Sequence, residues 1–269
     1  MTYLEFKPQW PLSEFVQLIW VWEDATNVHH LPRERIVPDG IVELVFHFGD
    51  PLVTYFPDDT ASIQPLNFVI AQVEEFIEIE AQGPIGLISV RFFPWGAYHF
   101  LNVPIKELKD RIIPAEFIWN DAVLVLQDKI CCASNNSTRI NLVQDFLLHQ
   151  LRKNFVDYPD LDGIVKYIAH THGRTPIERL TREIGMSQRN LERKFNHSVG
   201  ISPKQFSRIH RFLGACSGLK QADYSSLTDF TYDMGYYDQS HFIRDFKAFS
   251  GMNPTEFLNK DHISFLELK

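Results

Sequence analysis

Six basic side chains crowd the stretch from Ser187 to Arg211: Arg189, Arg193, Lys194, Lys204, Arg208 and Arg211, against one acid, Glu192. Cations at this density suit a polyanion, because each can displace a counterion from a phosphate. A solvated basic helix face is the plainer alternative. The formal charge of −8 conceals the asymmetry that decides between them. Residues 1–159 hold 11 Lys/Arg and 21 Asp/Glu, a balance of −10, whereas residues 160–269 hold 15 and 13, a balance of +2. The C-terminal half is therefore where a polyanion would sit.

Other chemistries fit poorly. His29 and His30 are adjacent and would point to opposite faces of a strand. His170-x-His172 precedes Gly173 at a helix end, where imidazoles cap carbonyls. Neither pair joins a carboxylate in a metal set. Cys131, Cys132 and Cys216 are one too few for a four-cysteine zinc site and read as reduced thiols. No Ser-His-Asp pattern or glycine-rich phosphate loop is present. The expectation is no catalysis, no metal and no cofactor.

The elements that carry the cations occur twice. Ile177, Leu180, Thr181, Ile184 and Gly185 are echoed 50 residues on by Leu227, Phe230, Thr231, Met234 and Gly235. After one inserted residue, Leu191, Arg193, Phe195, Gly200, Pro203 and Phe206 are echoed by Phe242, Arg244, Phe246, Gly251, Pro254 and Phe257. Each copy has the grammar of helix-turn-helix. A short apolar-faced helix (177, 180, 184) ends at Gly185, and Ser187 caps a second helix that buries Leu191 and Phe195. Arg189, Asn190, Arg193 and Lys194 then point elsewhere. Gly200 stops that helix, and Ser202-Pro203 starts a third with Pro where its missing N–H costs nothing. The second copy uses Gly235, Asp238, Phe242, Phe246, Gly251 and Asn253-Pro254 in the same roles.

The stretches MSQRNLERKFNHSVGISPKQF and GYYDQSHFIRDFKAFSGMNPTEF resemble the DNA-binding domain of the AraC/XylS family of bacterial transcription activators, over about residues 160 to 260. Thr181 and Thr231 depart from the Ala usual in the family. The resemblance implies double-stranded DNA and RNA polymerase as partners. Matched position by position, it implies that Arg189, Glu192 and Arg193 face bases in the first module, and Gln239, Ser240 and Arg244, with His241 neighbouring, in the second. Arg suits guanine, Gln adenine, and Glu can accept from cytosine N4. Lys194, Lys204 and Arg208 are expected on phosphates, which fix register without reading sequence.

The first half reads as β structure. Strands are expected over Arg33–Val37, Ile41–Phe48, Leu66–Ala71, Phe76–Ala81 and Leu87–Phe93, with Pro38-Asp39-Gly40 as a turn. Helices follow over Trp95–Leu101, Asn120–Cys131 and Ile140–Phe155. The last carries a wide stripe, Leu142, Val143, Phe146, Leu147 and Leu151, suited to internal packing or to a homodimer seam over 140–155. Residues 156–162 read as the linker. PDGIVELVFHFGD and VRFFPWGAYHFLNVP resemble the N-terminal domains of an AraC-like subgroup, which implies a regulatory role and a possible small-molecule effector. A pocket needs inward polar groups among aromatics, and Arg35, His47 and Arg91 are the candidates.

The fold class expected is α+β. Residues 1–157 form a mainly antiparallel β domain with C-terminal helices, for sensing or dimerisation. Residues 158–269 form an all-α domain of two helix-turn-helix modules joined by a long helix. Apolar content of 45% and charged content of 22% are ordinary for a globular protein. No apolar run is long enough to span a membrane, and the start MTYLEFKPQWPLSEF has no signal-peptide pattern, so a cytoplasmic location is expected. The function expected is sequence-specific transcriptional regulation. The alternative is a helical protein-interaction module without sequence-specific DNA binding.

Overall fold

The computed structural model describes residues 2–25, 33–221 and 226–258. His29 and His30 lie outside them. Runs of Val, Ile, Phe and Trp in the N-terminal half form ten strands: β1 (Thr2–Phe6), β2 (Val16–Asp24), β3 (Glu34–Ile36), β4 (Glu43–His47), β5 (Val53–Tyr55), β6 (Ala61–Ile63), β7 (Asn67–Ile70), β8 (Ile77–Glu80), β9 (Ile85–Phe92) and β10 (Ile112–Pro114). They pair into a six-stranded sheet, β1-β2-β9-β4-β7-β10, and a four-stranded sheet, β3-β8-β5-β6. Every pairing is antiparallel.

The five expected strands correspond to β3, β4, β7, β8 and β9, and five more were not anticipated. β2 explains why. It is largely buried on both faces, as VQLIWVWED, so it lacks the polar alternation that marks a half-exposed strand. One face of the large sheet, with Ile19, Val21, Leu44, Phe46, Ile88 and Val90, packs on helices α1 (Glu116–Trp119), α2 (Asp121–Cys132) and α3 (Asn136–Asn154). The other face, with Trp20, Trp22, Val45, Phe68 and Leu87, looks toward the small sheet. The expected helix Trp95–Leu101 is only a 3-10 turn, Ala97–His99, opening at Gly96.

The apolar stripe of α3 is used inside the chain. Val143, Leu147 and Leu151 are buried in the large core, with Leu142 and Phe146 packed at its margin. Phe146 meets Trp119 edge-on at 5.5 Å. The expected linker 156–162 is also shorter than anticipated. Helix α4 (Pro159–His170) begins inside it, with Pro159 at its first position and Asp160 and Asp162 favouring the positive helix end. Leu161, Ile164, Val165 and Ile168 of α4 enter the C-terminal core.

That core gathers α5 (Ile177–Glu183), α6 (Gln188–Ser198), α7 (Pro203–Gln221), α8 (Leu227–Asp233), α9 (Gln239–Ser250) and α10 (Pro254–Leu258). Among the described residues no helix is long and apolar enough to cross a membrane.

The two halves meet where the second helix of each module ends. Gly200 and Gly251 sit just beyond or at the ends of α6 and α9 with φ of +95° and +73°, and both lie against the N-terminal half. A Cβ at Gly200 would stand 2.8 Å from Cγ2 of Ile105, and one at Gly251 would collide with the Phe76 ring. Beside Phe76, Arg35 donates from Nη1 to the carbonyl of Ser250 at 2.9 Å. Val37 is counted among the buried residues of the C-terminal core, and Tyr98 donates to Asp162 of α4 at 2.8 Å.

Gly185 is also left-handed, at φ +65°, but has open space where a Cβ would go. Gly185→Ala should therefore cost only the conformational term, about 1 kcal/mol. Gly251→Ala should cost clearly more, because Phe76 must also move. Urea midpoints of the two variants check this, and equal losses would show that Phe76 does not press on the α9 terminus.

Candidate nucleic-acid interface

The caps that orient the two modules are those their residue types call for. Ser187 Oγ accepts from the Asn190 N–H at 3.3 Å, and Asp238 Oδ1 accepts from the His241 N–H at 2.7 Å. Ser202 and Asn253 cap α7 and α10 in the same way, at 3.1 Å and 2.9 Å. The inserted residue falls in the turn: Ser187 lies two residues after Gly185, and Asp238 three after Gly235. Leu191, Phe195, Phe242 and Phe246 are fully buried, which sets the opposite faces of α6 and α9 outward. The two threonines that replace Ala turn their hydroxyls back onto their own helices. Thr231 Oγ1 donates to the Leu227 carbonyl at 2.7 Å and Thr181 Oγ1 to that of Glu178 at 3.1 Å. No polar group is stranded by the exchange.

On α6, Arg189, Glu192 and Arg193 are all exposed. Arg193 donates to Asn190 Oδ1 at 3.0 Å and Glu192 accepts from Gln188 at 3.4 Å, contacts weak enough to exchange for a ligand. On α9, Ser240 and Arg244 are exposed, while Gln239 is half-buried and accepts from Thr228 at 3.4 Å. His241 turns away from them. Its Nε2 lies 3.6 Å from Oδ2 of Asp245, and its ring stands 5.4 Å from Tyr236.

Lys204 is exposed on the first turn of α7, and Lys194 is half-buried near the Tyr158 ring. Arg208 is not free. It pairs through Nη2 and Nε with Asp245, at 2.8 and 3.3 Å, and its hydrogen bonds to that carboxylate hold its pKa above the ordinary value. Asp245 is nearly fully buried, so Arg208 ties α7 to α9 instead of joining Lys204 on the surface. Arg174 and Arg211 line a polar groove of about 440 Å³ with Lys204, Gln188 and Glu192, running from the first module to Gly235 of the second. Arg211 shares a helix face with Lys204 at i+7, which the sequence could have suggested. Arg174 precedes α5 outside any periodic pattern and carried no signal.

The three candidates for an effector pocket are all held by polar partners, and Arg91 also lines a cleft of about 330 Å³ with Tyr3 and Trp95. Arg35 is paired with Glu78, its cross-strand partner, at 2.7 Å and faces the C-terminal domain. His47 is buried and bonded to Gln64 at 2.9 Å, and burial lowers its pKa. Arg91 is locked between Glu43 and Asp39, at 2.5 Å from each. Burial pushes the Glu43 carboxyl above its ordinary range against the pull of Arg91. Arg35 points away from the space between the sheets, since its neighbours Glu34 and Ile36 line it. His47 and Arg91 share the inter-sheet face of the large sheet with Val45 and Leu87 but are held there by polar partners. No group of three His, Cys, Asp or Glu among the described residues could hold a metal.

Removing Arg208 would leave the Asp245 charge buried without its main partner. Arg208→Ala should lose about 2 kcal/mol of stability, discounted because Arg208 is itself about one-third exposed. An Asp245→Asn background should recover most of that loss. Urea unfolding of the two single variants and the double variant checks the coupling, and additive losses would dismiss it.

Comparison with known proteins agrees with this geometry. Residues 180–260 match the family described as "Helix-turn-helix domain", and residues 4–114 match "Domain of unknown function (DUF6597)". An "Uncharacterized HTH-type transcriptional regulator" of Haemophilus influenzae is 32% identical over 117 residues, 44% of this chain and 38% of that one. A "Probable thc operon regulatory protein" of Rhodococcus erythropolis is 30% identical over 105 residues, 36% of this chain and 32% of that one. The matched segments thus span about a third of the length of these curated relatives. Among solved structures, ToxT of Vibrio cholerae aligns with 96% of this chain and 98% of its own at 11% identity and a TM-score of 0.46. The helix-turn-helix match coincides with the duplicated, capped modules, and over about a third of their length the two curated regulators are similar to this chain.

Proposed function

We propose that this protein is a sequence-specific, DNA-binding transcriptional regulator that reads two successive major-groove segments. The observation that carries the proposal is the pair of equivalent outward faces. Arg189, Glu192 and Arg193 on α6, and Ser240 and Arg244 on α9, are exposed on helices capped and buried in the same way. Helix α7 joins the modules. Its 19 residues span roughly 28 Å, which suits reading helices set about one DNA turn, or 34 Å, apart. Arg189, Arg193 and Arg244 take base edges, with Gln239 and Glu192 as further readers. Lys204, Arg174 and Arg211 hold the phosphates between the two segments.

Modulation through the N-terminal half completes the proposal. Its support is the contact of that half with both reading helices, through Ile105 at Gly200 and through Phe76 and Arg35 at Ser250-Gly251. A shift of the N-terminal half would move one helix end relative to the other and change how well both fit a single operator. RNA polymerase is the onward partner of such a regulator. A homodimer through 140–155 forms no part of it, since the α3 stripe already packs on its own core.

Selection from random duplexes by the full chain, near physiological salt, should enrich a bipartite site with halves about 10 base pairs apart. Arg189→Ala should weaken that site by roughly 1–3 kcal/mol and leave random DNA nearly untouched, while Lys204→Ala should weaken both about equally. Enrichment of nothing, with binding indifferent to salt, would favour the protein-interaction alternative.

A further inference from the structure

An apolar cavity of about 190 Å³ lies between the two sheets. Its floor comes from the large sheet, with Trp20, Trp22, Phe68 and Leu87, and its roof from β3 and β8, with Ile36, Ile77 and Ile79. Two features define what could fill it. Trp20 and Trp22 are only 8% and 7% exposed, and neither indole N–H has a hydrogen-bond acceptor. A buried donor without a partner is costly and would be relieved by an oxygen brought in by an occupant. The charged groups lining the cavity are all acidic: Glu34, Asp39 and Glu43, with no Lys, Arg or His among the described lining residues. Arg91 pairs with both Asp39 and Glu43, and Glu34 is the lining carboxylate with no cationic partner among the described residues.

We infer that the cavity binds a compact, largely apolar small molecule, neutral or cationic, that carries a hydrogen-bond-accepting oxygen, and that it discriminates against carboxylates. The uncompensated charge of half-buried Glu34 sets the sign of the discrimination, since a like charge is disfavoured where solvent screening is incomplete. The site also explains how occupancy would be read out, a point that rests on the regulatory proposal above. Ile36 and Ile77 face the cavity, while their neighbours Arg35 and Phe76 touch Ser250 and Gly251 at the end of α9. A ligand that displaces the roof therefore acts on the second reading helix across the thickness of one sheet.

Calorimetric titration of the full chain, without DNA, with 2-naphthylmethanol, 2-naphthylmethylammonium and 2-naphthoate tests the ligand class. The alcohol and the ammonium should bind saturably, and the carboxylate at least roughly tenfold more weakly. Glu34→Gln, at a half-buried position, should narrow that gap by raising carboxylate affinity while leaving the alcohol unchanged. Ile79→Trp should fill the space and abolish binding of all three; should it fail to fold, the Glu34→Gln comparison decides alone. Carboxylate binding as tight as the alcohol, no binding of the alcohol, or binding untouched by a folded Ile79→Trp would each overturn the inference. Saturable binding of the alcohol with no change in operator affinity would uphold the site and remove only the regulatory coupling.

Discussion

The second helix of each module ends one or two residues before a glycine with a left-handed backbone, and the lack of a Cβ there lets the N-terminal half lie directly on the helix end. Most of the interdomain architecture depends on this approach. Phe76 could not sit on Gly251, nor Ile105 on Gly200, if either position carried a side chain. The same left-handed turn that closes the helix also exposes its last carbonyls, and Arg35 takes one of them, that of Ser250. One conformational requirement thus serves as a helix stop and as a docking point, twice, in equivalent places of the repeat.

The two sheets work by the same economy of faces. The pleat sends alternate residues of β2 and β9 to the helical core and to the space between sheets, so β9 is buried throughout and β2 over most of its length. In β3 and β8 the alternation divides function: isoleucines line the cavity, and Arg35 and Glu78 form an ion pair on the side of the C-terminal domain. One thin wall thus has its inner face on the cavity and its outer face on the end of α9.

Several charged residues that looked available in the sequence are committed to partners far along the chain. Arg91 meets Glu43 across a strand pair and Asp39 from the adjoining turn, and Arg208 meets Asp245 from the next module. Arg35 likewise finds Glu78 by register. None of these pairings leaves a local trace, because the partners are separated by 37 to 52 residues. Arg189, Arg193 and Lys204 are different: their exposure follows from helical spacing to Leu191, Phe195 and Phe206, and so could be read directly.

By itself the sequence determined the repeated modules, their capping residues, the outward faces of the second helices and the charge contrast between halves. These are local properties: hydrophobic spacing, glycine and proline stereochemistry and side-chain capping act over a few residues, and the repeat states them twice. β2 escaped because a strand buried on both faces has no polar alternation, β5, β6 and β10 are only three residues long, and the linker was read too long because Pro159 opens a helix as well as it breaks one. Tertiary structure alone decided which arginines are drawn into ion pairs, where the cavity lies, and that the N-terminal half rests on the second helix of both modules. Those outcomes depend on cross-strand register and on contacts between residues distant in sequence, which one-dimensional pattern does not encode.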